Sequence, residues 1–320
     1  MIALTGATGH VGYVLHKYLQ KENMPHRVLV RKRTNRLSNV EQIVGDLTHQ
    51  HSLQQFVNKV DTVIHSAAVV YPKYGVNEDV INVNYICSKN LFETAKKAGV
   101  KHFIFISSIH SMEVPTTGVF DETAALVKDE NRSYDYSKAQ MERYLSQQSG
   151  IKITILNPTS IIGGGDFYFN GFNQLFRLIH SYHLPMLTQG GFDVVDVKDV
   201  VKSCIFAVQH QVEGKYILGN TYYSIPEIAK IYGNIAQKLI SPIELSTPVM
   251  KMLATFTDFV GKFSKSPLPT NSYSINTLLE LKSPISHQKA VNNLDFRPRV
   301  IHNSLRDIHK WIENQELILD

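Results

Sequence analysis

Tyr134 and Lys138 stand four residues apart in Tyr134-Asp135-Tyr136-Ser137-Lys138. On a helix that spacing stacks both side chains on one face. Met141 and Leu145 continue the face, so it turns inward. A lysine held there is costly unless it has a task. A free phenol keeps its proton to a pH of about 10. An ammonium beside it favours phenolate and lowers that value. Tyr134 could then pass a proton near neutral pH. A partner for this chemistry lies in Phe105-Ile106-Ser107-Ser108, where a serine hydroxyl can hold the oxygen of a reacting group. Either serine could instead satisfy local backbone.

Thr5-Gly6-Ala7-Thr8-Gly9-His10-Val11-Gly12 follows an apolar strand and opens a helical pattern. Glycines allow a tight turn and close approach of backbone to a pyrophosphate, and the helix start offers free N–H groups. The spacing differs from the commoner Gly-x-Gly-x-x-Gly, but the strand-then-helix context predicts dinucleotide binding. The next strand ends in Val30-Arg31-Lys32-Arg33. An acidic residue there would bond the ribose hydroxyl of NAD, whereas Arg31 and Lys32 match the 2′-phosphate of NADP in charge, and the Arg31 guanidinium matches it in fork geometry. NADP(H) is therefore expected over NAD(H), which stays possible. Gly45-Asp46-Leu47 follows the third strand, where Asp46 could accept from the adenine amino group or simply favour a helix start. Ser66-Ala67-Ala68 ends the fourth strand with small residues that let backbone approach the cofactor. The positive ring of an oxidised nicotinamide would further favour a Tyr134 phenolate.

Short apolar runs at residues 2–4, 27–30, 42–44, 62–64, 103–106 and 151–156 alternate with helical patterns at 11–20, 84–98 and 134–148. Continuous apolar strands separated by helices predict a parallel sheet covered on both faces, and right-handed crossovers make it doubly wound. The fold class is thus α/β, a Rossmann-type sheet. Residues 1–162 are expected to form the dinucleotide-binding domain, with 192–218 returning to it through strands at 194–197 and 216–218 around a helix at 200–209. Residues 163–191 and 219–320 should form a smaller, mostly helical substrate lobe, with prolines such as Pro242, Pro248, Pro267, Pro269 and Pro284 in its turns.

Together these residues resemble the extended short-chain dehydrogenase/reductase family, over nearly the whole chain. The resemblance rests on Thr5–Gly12, Gly45-Asp46-Leu47, His65–Ala68, Asn84 with Asn90-Leu91, Ser107-Ser108, Tyr134/Lys138, Asn157-Pro158 and Asp193–Asp199. Ile285-Ser286-His287 and Leu294-Asp295-Phe296-Arg297-Pro298 resemble the tail of dihydroflavonol-reductase-like members. The resemblance implies a Ser108, Tyr134, Lys138 triad, with Pro158 and Ile161 against the nicotinamide. Nucleotide-sugar members usually continue the serine motif into Val-Tyr-Gly, where this chain has Ile109-His110-Ser111-Met112. They usually carry an acidic second-strand end and an Arg-Asp-Phe-Ile-His-Val segment; here Arg31 and Phe192-Asp193-Val194-Val195-Asp196-Val197 stand instead. A charged diphosphate would miss that Arg and His.

The expected activity is NADPH-dependent reduction of an aldehyde or ketone, or the reverse alcohol oxidation. Tyr71, Tyr74, Phe167, Tyr168, Phe172, Tyr222 and Tyr223 are candidate pocket walls for an uncharged, aromatic substrate. The alternatives are a nucleotide-sugar epimerase or dehydratase that keeps NAD bound, and a non-catalytic NADPH-binding regulator, for which an intact Tyr134 and Lys138 have no use. A net charge of +5, spread along the chain, argues against a nucleic-acid partner. His49-x-His51 and His180-x-x-His183 lack the other ligands a metal needs, so none is expected. Cys87 and Cys204 stand alone, as in a reducing compartment. The chain opens directly on its first strand, and no apolar run approaches the roughly 20 residues of a membrane span. A cytoplasmic location follows, and a homodimer is open. The apolar stretch 249–263 reads as a buried or dimer-facing helix, since its polar face has no cationic stripe.

Overall fold

A computed structural model describes residues 1–169, 171–181, 186–188, 190–238, 240, 243–261, 272–280 and 284–319. Pro242, Pro267, Pro269 and His183 lie outside these residues. The first half alternates as expected: β1 (Ile2–Thr5), α1 (His10–Lys21), β2 (His26–Val30), β3 (Glu41–Val44), α2 (Gln50–Val57), β4 (Thr62–His65), α3 (Glu78–Ile81), α4 (Ser88–Lys97), β5 (His102–Ile106), α5 (Ser133–Ser146) and β6 (Lys152–Pro158). There follow β7 (Ser160–Ile162), α6 (Asn173–His180), β8 (Met186–Thr188), β9 (Gly191–Asp196), α7 (Val197–His210), β10 (Gly214–Leu218), β11 (Thr221–Ser224) and α8 (Ile225–Ile235). The last elements are β12 (Ile243–Leu245), α9 (Thr247–Gly261), α10 (Ser272–Glu280), α11 (Gln288–Asn293) and α12 (Ile301–Asn314).

Seven strands form one sheet in the order β10-β6-β5-β4-β1-β2-β3, every pairing parallel. The order reverses between β1 and β4, and ligands of such sheets bind outside the strand ends at that switch point. Two apolar layers cover the faces. One packs α1 and α7 on β1, β2 and β6 through Val14, Leu15, Val200 and Cys204. The other packs α2, α4 and α5 through Phe56, Leu91, Phe92 and Met141. Leu91, Phe92 and Ala95 recur at helical spacing and all are buried, each large one contributing about 1.5–3 kcal/mol.

The helix expected over residues 84–98 is interrupted: Asn82–Cys87 is a π-turn leading into α4. The expected strand near 194–197 is β9, but it does not join the large sheet. It lies between β7 and β11 in a three-stranded sheet of the second lobe. Only α7 and β10 go back to the large sheet. Buried ion pairs fasten the lobe. Lys198 Nζ lies 2.6 Å and Arg299 Nη1 2.8 Å from Asp307.

In α9, Met250 and Ala254 are buried with Ile275 of α10, which agrees with a buried helix; residues 262 and 263 lie outside the described residues. No helix among the described residues is long and apolar enough to cross a membrane.

Candidate active site

The glycine turn closes with Gly9 N–H donating to the Gly6 carbonyl oxygen at 2.9 Å. Gly6 has φ +74°, and a side chain on Gly12 would lie 2.2 Å from the Gly6 oxygen. Both glycines are therefore fixed by the turn itself. Gly9 is different. A Cβ there would meet nothing of the protein nearer than 3.4 Å, so packing does not demand its smallness. Gly9 caps α1 without any side-chain hydrogen bond, and leaves the first-turn N–H groups of His10, Val11 and Gly12 for an anion. A pyrophosphate fits this cradle, where a Cβ would intrude. Thr8 is exposed beside it. The His10 ring turns away to the Gly164 carbonyl oxygen, 3.1 Å distant, and burial lowers its pKa.

Ser66 Oγ donates to the Thr5 carbonyl oxygen at 2.7 Å, and Ala67 N–H donates to Thr5 Oγ1. This holds the β4 end against the glycine turn, with Ala68 exposed. Beneath it, buried His65 lies between Thr5 Oγ1 and Ser88 Oγ, each 2.7 Å away. Burial pushes His65 down to about 3, so it is a neutral connector. In the π-turn, Asn84 bonds both Val69 N–H and Val69 C=O and also reaches Ser137 on α5. Single π-turns often mark functional sites.

Arg31, Lys32 and Arg33 are exposed and form no salt bridge among the described residues. With Thr8, Tyr13, Arg36, Phe167 and Tyr168 they line a cleft of about 410 Å³. Arg36, which the sequence reading passes over, lies 4.1 Å over the Phe167 ring. Asp46 accepts the Thr48 N–H at 2.9 Å, and that bond first holds its carboxyl below the ordinary value. It thus caps its own turn, while Leu47 packs against the core beneath.

Tyr134, Lys138 and Ser108 come together at the carboxyl ends of β5 and β6. Tyr134 is half-buried, and Lys138 is 2% exposed. Lys138 Nζ donates to the Ile106 carbonyl oxygen at 2.7 Å and sits 4.6 Å over the Phe105 ring. Burial pushes Lys138 down to about 7, opposed by the Glu142 carboxylate. The phenol goes the other way from the sequence expectation. Burial first, then the charge of Asp135, raises Tyr134, while its hydrogen bond with Ser108 pulls it down. The raised phenol keeps its proton at neutral pH. Pro158 ends β6 and is buried; Ile161 follows on β7, half-buried.

The two serines separate cleanly. Ser107 Oγ donates to Glu142, whereas Ser108 Oγ accepts His110 N–H at 3.2 Å and faces Tyr134. Glu142 is the residue that sequence reading missed. It is 2% exposed, accepts Ser111 Oγ–H and Asn157 Nδ2–H at 2.6 Å each, and pairs with Lys215 at 2.9 Å. Tyr134, Lys138 and Glu142 recur every four residues, a signal that was present but reads equally as a solvated face.

Lysine 138 gives a pH prediction. Its ordinary value is 10.5, so between pH 7 and 10.5 the unfolded chain holds a proton that the folded chain has released. Folding therefore gains stability as pH rises through that window, and gains nothing further below it. The wild-type protein should become more stable relative to Lys138→Met between pH 7 and about 9.5. Denaturant titrations at both values check this; a constant difference would refute a depressed lysine.

The two residues after Ser108, Ile109 and His110, border a slot of about 40 Å³ whose other walls include Met112, Phe120, Phe192 and Ile285 with Arg132, Asp193 and Thr277; Ser108, Tyr134 and Lys138 do not themselves line it. Arg132 is occupied by Glu113 at 2.8 Å and Asp135 at 2.9 Å. The aromatic walls expected from sequence go elsewhere. Phe167 stacks edge-on against Tyr13 and Trp311, Phe172 and Tyr223 pack in the second lobe, Tyr168 and Tyr222 are exposed, and Tyr74 donates to Asp129. Tyr71 is half-buried and also does not line the slot. Phe167 and Phe172 find ring partners in Tyr13, Trp311, Phe176 and Phe192 instead.

His49 and His51 are exposed, His180 lies against the His309 ring, and no metal-binding cluster exists among the described residues. Cys87 and Cys204 are buried and unpaired with each other.

A doubly wound sheet, a glycine turn at the switch point, and Ser, Tyr and Lys at the adjacent strand ends define an extended short-chain dehydrogenase/reductase. Residues 2–219 match the model of the NAD-dependent epimerase/dehydratase family, and the chain belongs to that family. It is 23% identical to sterol demethylase protein B of Methylococcus capsulatus over 98% of this chain and 99% of that one. It is 26% identical to a dihydroflavonol 4-reductase candidate of Synechocystis sp. over 97% and 94%. Among solved structures, gox2253 superposes with a TM-score of 0.82 at 23% identity over 98% of each chain. Thermus thermophilus UDP-glucose 4-epimerase in complex with NAD gives 0.76 at 21% identity over 98% and 99%. Members of the family include both reductases and epimerases, so membership alone leaves the reaction open.

Proposed function

We propose that the protein is an NADPH-dependent oxidoreductase that reduces the carbonyl of a small, uncharged, largely apolar substrate. The observation that carries this reading is the slot bordered by Ile109 and His110, the two residues after Ser108. Its walls are mostly apolar, and its one guanidinium, Arg132, is already held by two carboxylates. Among the described residues that line it, a sugar nucleotide's diphosphate would meet no guanidinium free of carboxylates, which is costly. The steroid- and flavonoid-directed names of the relatives point the same way.

The nicotinamide, when bound, supplies the hydride. Ser108 holds the carbonyl oxygen, and Tyr134, kept protonated by burial, donates its proton to that oxygen. Lys138, one helical turn along, can take up a proton as the phenolate forms, since that negative charge opposes the burial that lowers the lysine. The backbone of the turn from Gly6 to Gly12 holds the pyrophosphate. Arg31 and Lys32 would hold the 2′-phosphate in the cleft that Arg36 also lines.

Initial rates with NADPH and NADH against a panel of aldehydes, ketones and sugar nucleotides test the assignment. NADPH-dependent carbonyl reduction is expected. Arg31→Ala should raise the KM for NADPH at least about tenfold and that for NADH less than about twofold, as loss of a charged phosphate contact predicts. Purified protein carrying NAD and turning over only a sugar nucleotide would overturn the proposal in favour of an epimerase. Tight NADPH binding with no turnover would leave a regulator.

A further inference from the structure

The helix that roofs the slot is also joined to the catalytic helix. Tyr273, on the first turn of α10, donates its hydroxyl to Asp135 Oδ2 at 2.6 Å. Asp135 is 2% exposed and follows Tyr134 directly on α5. The same oxygen takes Arg132 Nε–H at 2.9 Å, and Arg132 passes on to Glu113. Four residues after Tyr273, one turn along the same helix, Thr277 lines the slot. Leu278 lies against Gly190 at the start of β9. The roof of the slot and the helix carrying the proton donor are therefore fixed to one another through a single buried carboxylate.

We infer that Tyr273 is a positioning residue of the active site, setting the distance between the Thr277 wall of the slot and Tyr134 by way of Asp135. The inference rests on the reading of Tyr134 and the slot given above. A carboxylate buried this deeply needs its donors, and a hydrogen bond to a charged group is among the stronger ones. Burial and the Asp135 charge both hold the Tyr273 phenol in its protonated, donating form. The slot holds about 40 Å³, far less than the roughly 300 Å³ of a small-molecule site. The Tyr273 bond holds the Thr277 wall of this slot in register with the first turn of α5, which carries Tyr134.

Tyr273→Phe keeps the ring and removes only the hydroxyl. It should lower kcat/KM for the best carbonyl substrate about tenfold, chiefly through KM, and leave the Kd for NADPH within about twofold. Hydrogen exchange should quicken in residues 272–280 and in the first turn of α5. Asp135→Asn should behave similarly, and the double variant should lose no more than the worse single one. Exchange identical to wild type in both segments would overturn the inference. So would an equal loss of NADPH affinity, which marks a general structural role. If the wild-type protein reduces no carbonyl, the proposed function fails, while the exchange measurement still decides whether Tyr273 seats α10 on α5.

Discussion

Replacing Tyr134 by Phe is expected to lower kcat by about 10²–10⁴, the usual contribution of a positioned proton donor. The ring, its burial and the helix stay, so NADPH affinity should hold within about twofold. The phenol interacts with Ser108, burial keeps it protonated, and Lys138 lies one turn further along. Single-turnover reduction with premixed NADPH separates the chemical step from binding. A kcat within a few-fold of wild type would remove Tyr134 from the reaction and shift attention to His110, which lines the slot.

Glu142→Gln should be nearly as damaging, through stability. One carboxylate gathers the hydroxyls of Ser107 and Ser111, the amide of Asn157 and the ammonium of Lys215. It thereby ties the β5 end, the β6 end and α5 together behind the proton donor. Removing one partner of a buried pair leaves the other uncompensated, about 3 kcal/mol here because Lys215 keeps some exposure. The melting temperature should fall by roughly 5–10 °C. Lys138 would lose the one charge that raises it and drop further below 7. Lys215→Met should cost less, since Glu142 would keep three donors. Thermal unfolding of both variants checks the order; a Gln variant as stable as wild type would mean that the carboxylate carries no charge in the fold.

The parallel sheet was readable because its strands are buried on both faces and so appear as unbroken apolar runs. The glycine turn and the Tyr134–Lys138 pair were readable because both are local: their spacing alone fixes their geometry. Glu142 was not. A glutamate on a helix ordinarily faces water, and what buries it comes from β5, β6 and β10. Arg36 was missed for the same reason, since its ring partner Phe167 is far along the chain. The aromatic run near Phe167 misled, because composition cannot say whether rings face a ligand or one another. Strand β9 misled too: an apolar strand carries no mark of which sheet it will join. The π-turn at Asn82–Cys87 needs the long-range bonds of Asn84 to pin it, and no periodicity announces those.

The all-parallel sheet bears on how the chain reaches this form. No two neighbouring strands are joined by a hairpin. Ile2 pairs with Thr62, and Thr154 with Gly214, so each ladder closes a long loop of chain. Such topologies collapse late and fold slowly, with sticky edges unprotected meanwhile. During synthesis β1 has to wait for about sixty further residues to leave the ribosome before β4 can join it. A nascent chain of this design is a natural client for chaperones, and its yield on expression should respond to temperature and translation speed more than that of a hairpin-built protein of equal length.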